Sequence, residues 1–127
     1  ENCEVDEQEL RRGNASSTID TVRDYAARYP AVDMTCLIGA DHVPLLPQWR
    51  EAAELAGLAA FAAVPRPGVA RIAFPTPFFG RWLRCTPVDV SASDIRAHVC
   101  ENQPIEHLVP SAVAEAIREL KLYAEQT

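Results

Sequence analysis

Lysine is nearly missing from this chain: Lys121 is the only one in 127 residues. No lysine/arginine cluster replaces it, and 12 basic against 18 acidic residues leave a formal net charge of −6. Nucleic acid as the main partner needs a concentrated basic face, so no nucleic acid is expected. A small anion, which needs only a few local cations and amides, stays open. Long hydrophobic runs are also lacking. The longest, Leu55 to Val64, is too short to cross a bilayer, so no membrane partner is expected. The cysteines (Cys3, Cys36, Cys85, Cys100) form no Cys-x-x-Cys pair, and His42, His98 and His107 lack zinc-ligand spacing, so no metal-ligating residues are assigned. No catalytic cysteine–histidine motif is visible. No signal peptide precedes the cysteines, so reduced thiols in a cytoplasmic protein are expected, and the sequon Asn14-Ala15-Ser16 is then irrelevant.

What is present suits a folded domain. The length fits a single domain over residues 1–127, and 48% hydrophobic content is enough to bury a core. Residues 1–12 are acidic and polar, with Cys3, Val5 and Leu10 marking a short edge strand. Gly13-Asn14 is a turn signal. Ser17 or Thr18 caps a helix on which Ile19, Val22, Ala26 and Tyr29 recur at helical spacing, and Pro30 ends it. Met34 to Ala40 is a nearly continuous apolar run, the pattern of a parallel strand covered on both faces. Pro44 and Pro47 mark a loop, and a helix follows from about Gln48 to Ala56. Leu58 to Val64 is a second apolar strand, stopped by Pro65, Pro67 and Gly68. Residues 69–80 are loop. A third strand runs from about Arg81 to Cys85, then a helix from Ser93 to Glu101. Pro110 opens a last helix to about Leu122, with Val113, Ile117 and Leu120 on one face. The alternation predicts an α/β fold, a parallel sheet with helices on both faces.

Ligands of such sheets bind beyond the carboxyl ends of the strands. Gly39-Ala40-Asp41 stands at one such end. Gly39 permits close backbone approach, and Asp41 can accept hydrogen bonds from two sugar hydroxyls; a plain turn aspartate is the alternative. Trp49 can stack on a planar ring or simply pack. Arg66, in Pro65-Arg66-Pro67-Gly68, can meet phosphate or cover a base. Ser16-Ser17-Thr18 opens the first helix with spare hydroxyls. Ser91-Ala92-Ser93-Asp94-Ile95-Arg96 places hydroxyls, an N-cap with a weak capping box and a forked cation at one helix start. Those are the parts of a phosphate site; an ordinary capped surface helix with a solvated arginine is the alternative.

Taken in order, Ser-Ser-Thr-Ile-Asp-Thr, Gly-Ala-Asp with a tryptophan eight residues on, Arg-Pro-Gly, Val-Ser-Ala-Ser-Asp-Ile-Arg, Leu108-Val109-Pro110 and Leu122-Tyr123 resemble the bacterial nicotinate-nucleotide adenylyltransferases. These belong to the nucleotidyltransferase superfamily, with a Rossmann-like fold, and the resemblance runs from about Glu9 to Tyr123. It implies that Ser91, Ser93 and Arg96 hold the ATP phosphates, with Arg96 the catalytic residue. It implies that Gly39 and Asp41 meet the adenosine ribose, that Trp49 stacks on the pyridine ring of nicotinate mononucleotide, and that Thr18 lies near its carboxylate. Arg66 matches a family motif on the substrate side whose contact stays unassigned. Mg²⁺ is implied with ATP. A homo-oligomer is left open.

One departure stands out. Family members begin with a strand ending in a Gly-x-Phe-x-Pro-x-His-x-Gly-His loop, whereas the earliest histidine here is His42. The chain thus reads as the C-terminal portion of a nucleotidyltransferase domain, without its first strands. Such a piece is expected to expose apolar sheet edge. The implied reaction is adenylyl transfer from ATP to nicotinate mononucleotide, giving the deamido dinucleotide and pyrophosphate. The alternatives are a related nucleotidyltransferase using nicotinamide mononucleotide or phosphopantetheine, a noncatalytic remnant or nucleotide-binding module, and an α/β domain whose motifs are coincidence.

Overall fold

The computed structural model describes residues 2–124, in two compact units that divide after Pro87. The first holds α1 (Gln8–Arg12), α2 (Thr18–Arg28), β1 (Thr35–Gly39), a 3₁₀ segment (Ala40–Gln48), α3 (Ala52–Leu58), β2 (Ala60–Val64) and β3 (Gly80–Trp82). The second holds α4 (Ala92–Cys100) and α5 (Ser111–Glu119). No helix among the described residues is long and apolar enough to cross a membrane.

The sheet is parallel, as the alternating pattern predicts, in the order β1-β2-β3. β2 is central, and its Phe61 and Ala63 have no exposed surface. Full burial of a Phe side chain contributes about 1.5–3 kcal/mol. Around it pack Ile19 and Val22 from α2, Ile38 from β1, Val43 and Leu46 from the 3₁₀ segment, Leu55 from α3, and Phe78. Phe78 meets Phe61 edge-on, with ring centroids 5.4 Å apart. Arg23 ties α2 to α3, donating to Glu54 (2.7 Å from Nε) and to Glu51.

Several expectations are corrected. Residues 3–10 form no strand; Asp6 instead accepts the Gln8 backbone N–H at 2.9 Å and leads into α1. β1 is not covered on both faces: it lies at a sheet edge, and Leu37 is 67% exposed. Pro44 and Pro47 do not mark an open loop but sit within the 3₁₀ segment, whose turns their fixed φ suits. The next helix starts at Ala52 rather than Gln48, because Glu51 adopts a left-handed conformation (φ 51°) that no helix interior accepts. Tyr29 is half exposed rather than in the core. β3 is shorter than expected and ends at Trp82.

In the second unit, Ile105, Ala114 and Ile117 are buried, with Ile95, Val99, Leu108 and Val109 against them. The buried stripe of α5 is therefore Ala114 and Ile117. Val113 and Leu120, expected on that face, are 44% and 68% exposed.

Candidate functional site

The parallel register sets Gly39, the last residue of β1, opposite Val64, the last of β2. The chain leaves both strands on the same side of the sheet, so Asp41 and Arg66 meet beyond the strand ends. Arg66 Nη1 lies 3.3 Å from each carboxylate oxygen of Asp41. The Asp41 carboxyl is held below the usual carboxylate range, first by its own backbone N–H and then by Arg66. At Gly39 a Cβ would stand 3.2 Å from Asp41 Oδ1, so a side chain there would press on the carboxylate.

Thr18 and Trp49 come together although 31 positions separate them. Both line a cavity of about 270 Å³ with Ser16, Ser17, Ile19, Arg50 and Leu55. On one side of it begins α2. Ser17 caps this helix in a reciprocal box with Asp20: its hydroxyl donates to Asp20 Oδ2 at 2.8 Å and its backbone N–H reaches the same oxygen at 3.2 Å. These bonds hold the Asp20 carboxyl below its ordinary range. On the other side Trp49 leaves the 3₁₀ segment half-buried. It meets Phe61 edge-on at 6.3 Å and His42 edge-on at 5.9 Å. The cavity therefore offers an aromatic ring, a helix start and one cation, Arg50, whose Nη1 is 3.4 Å from Asp20. An aromatic ring bearing an anionic group fits that set.

His42 and Arg50 were not picked out by the motif reading. The only trace in the sequence is adjacency: His42 follows Asp41, and Arg50 follows Trp49.

In the second unit, Ser91 is the N-cap of α4, as its sequence predicts. Its Oγ accepts the Asp94 backbone N–H at 3.0 Å and donates to Asp94 Oδ2 at 2.6 Å. Arg96 Nη2 donates to Ser93 Oγ at 3.2 Å. Ser91, Ser93 and Arg96 thus stand together at one helix start, on exposed or half-exposed surface. Asp94 is an acid at the same place, and its carboxylate is taken up by the cap. Among the described residues no group of three or more His, Cys, Asp or Glu side chains could cage a metal ion.

A parallel sheet alternating with helices, with the Asp41–Arg66 pair beyond its strand ends, is an open α/β fold of the kind that binds its ligands at that edge. Known proteins narrow it further. No family model matches the chain. The "probable nicotinate-nucleotide adenylyltransferase" of Shouchella clausii is 38% identical over 123 residues, covering 97% of this chain and 61% of that protein. The protein of the same name from Chromobacterium violaceum is 32% identical, covering 94% of this chain and 66% of the other. Among solved structures, the Plasmodium falciparum nicotinic acid mononucleotide adenylyltransferase complexed with NaAD superposes with a TM-score of 0.68 at 16% identity. That match covers 86% of this chain and 58% of the other, and it shows a shared Rossmann-like fold. The chain is a homologue of the nicotinate-nucleotide adenylyltransferases along nearly its whole length, and it spans about three fifths of the length of the curated relatives it matches.

Proposed function

We propose that this chain carries substrate-binding elements of a nicotinate-nucleotide adenylyltransferase, acting in the cytoplasm, where its four free thiols stay reduced. The reaction is adenylyl transfer from ATP to nicotinate mononucleotide. An oxygen of the mononucleotide's phosphate attacks the α-phosphorus of ATP. The bond from that phosphorus to the bridging oxygen breaks, and pyrophosphate leaves with the electron pair. A phosphate monoester is already largely ionised near neutral pH, with a second pKa of about 6, so no general base is required. Catalysis then rests on in-line positioning and on neutralising the phosphate charge.

The observation that carries this reading is the cavity shared by Thr18 and Trp49. In our assignment Trp49 stacks on the pyridine ring and the start of α2 at Thr18 receives the carboxylate. Gly39 gives the adenosine ribose close access and Asp41 accepts its hydroxyls, with Arg66 orienting that carboxylate. Ser91, Ser93 and Arg96 hold ATP phosphates, Arg96 balancing the charge that develops on them. Mg²⁺ would accompany ATP and would supply neutralisation of phosphate charge.

The test is calorimetric titration of the chain with nicotinate mononucleotide, nicotinamide mononucleotide and ATP, with pyrophosphate release followed in parallel. Tighter binding of the nicotinate form is expected. Equal affinity for acid and amide, or binding of ATP alone, would overturn the acceptor assignment. Binding of both substrates without pyrophosphate release would favour the second reading, a nucleotide-binding module.

A further inference from the structure

We propose that Arg71 and Arg84 form a binding site for a small phosphate-bearing anion, at a place where none of the residues given a role above takes part. The first support is the charge pattern. From Leu55 to Val88 the chain carries Arg66, Arg71, Arg81 and Arg84 and no acid at all, although the whole chain has a net charge of −6. Arg66 is matched by Asp41. Arg71 and Arg84 have no carboxylate within ion-pair distance among the described residues.

The second support is how the fold joins the two. Trp82 Nε1–H donates to the Ile72 carbonyl at 2.8 Å, and the Leu83 N–H donates to the Ala63 carbonyl at 2.9 Å. These bonds pin the residue after Arg71 and the residue before Arg84. Both arginines then line one open concavity of about 520 Å³ with Cys85, Thr86 and Pro87.

Two permanent cations facing one hollow repel each other and raise its positive potential. An anion placed between them relieves that repulsion. Each guanidinium offers a fork of N–H donors and Thr86 adds a hydroxyl, more donors than one carboxylate can use but suited to the several oxygens of a phosphoryl group. The site is exposed, so occupancy falls as ionic strength rises. The same chemistry is found in free phosphate or pyrophosphate and in the phosphates of a nucleotide.

Cys85 reports occupancy from within the hollow. The experiment measures its alkylation by uncharged iodoacetamide, peptide by peptide, with orthophosphate, pyrophosphate or ATP added at constant ionic strength. Cys3 is the reference in the same chain: it is exposed and lies beside Glu4 and Asp6. The expected result is slower alkylation of Cys85 with Cys3 unchanged, and a need for about tenfold more anion in Arg71→Gln or Arg84→Gln. Protection by orthophosphate and pyrophosphate identifies free phosphate as the source; protection by ATP alone, lost in Arg84→Gln, identifies a nucleotide. Alkylation unaffected by all three anions, or protection in both variants at the same anion concentration as in the parent chain, would overturn the proposal. Neither result depends on whether the chain binds nicotinate mononucleotide.

Discussion

Arg66 reaches across the ends of two neighbouring strands to Asp41, with Nη1 3.3 Å from both carboxylate oxygens. The pair is partly exposed, so its value to stability is small. Its consequence is electrostatic: Asp41 stays ionised and aimed. A carboxyl-carbon NMR titration of Asp41 should find its pKa below the ordinary aspartate value. In Arg66→Gln the pKa should rise but stay depressed, because the Asp41 backbone N–H is the larger cause. A midpoint unmoved by Arg66→Gln would show that the pair does not persist in solution.

Trp49 has two jobs that substitution can separate. Its ring leans edge-on against Phe61 in the core and also lines the cavity. Trp49→Ala should lower unfolding free energy by about 2–3 kcal/mol, less than loss of a fully buried aromatic, and abolish binding of nicotinate mononucleotide. Trp49→Phe keeps an aromatic face and should retain most of the stability and part of the binding. Urea unfolding and calorimetry read the two effects independently. Full mononucleotide affinity in Trp49→Ala would remove the stacking role.

Ser91 also can be split between cap and ligand. Ser91→Ala should destabilise α4 by about 1 kcal/mol through loss of the bond to the Asp94 N–H, seen as faster amide exchange in the helix's first turn. Ser91→Asp restores a capping acceptor but adds negative charge. If this helix start holds phosphate, Ser91→Asp should keep the helix protected while weakening ATP binding at least as much as Ser91→Ala does. Undiminished ATP affinity in Ser91→Asp would place the triphosphate elsewhere.

The parts legible in the sequence were those set by local chemistry. Apolar runs bounded by turn residues found β1 and β2, hydroxyl–acid spacing found the cap at Ser91, and of the two hydroxyls offered for the first helix, Ser17 and Thr18, the structure takes Ser17. What escaped depended on partners distant in sequence or on single backbone torsions. The local pattern read β1 as covered on both faces; only the resemblance led to an exposed apolar sheet edge being expected, and Leu37 stands on one. The left-handed torsion at Glu51, which delays α3, sits in a stretch that reads as helical, and Glu51 pairs with Arg23. In α5 the spacing allowed more than one stripe, and only the packing against Ile105 selects Ala114 and Ile117. At the site, the pairing of Thr18 with Trp49 follows from α2 packing beside the 3₁₀ exit, so Arg50 was visible only as a neighbour of the tryptophan.

Acid should weaken the start of α2. The folded-state pKa of Asp20 is depressed, chiefly by the Ser17 hydroxyl. A depressed carboxylate contributes stability that is fully present above its unfolded value, about 3.9, and is lost as pH falls through the folded value. Urea midpoints measured from pH 7 down to pH 3 should therefore fall less steeply in Asp20→Asn than in the parent chain, the parent's advantage holding steady above about pH 4 and narrowing below it. Parallel curves would mean that the capping box adds nothing that protonation can remove.

Gly80 opens β3 where no side chain fits. A Cβ built there would lie 2.2 Å from the Phe74 ring, far inside contact distance. Phe74 is held in place by Trp82, 6.2 Å away between ring centroids, so it cannot simply swing aside without loosening the segment that Trp82 pins at Ile72. Gly80→Ala should destabilise the first unit by about 1–3 kcal/mol, the usual range for overpacking. The clash is with one ring, so the double variant Gly80→Ala, Phe74→Leu should recover part of that loss, although Phe74→Leu alone is destabilising. A thermodynamic cycle from urea unfolding measures the coupling. Additive effects of the two substitutions would show that Gly80 is required by its backbone and not by the ring above it.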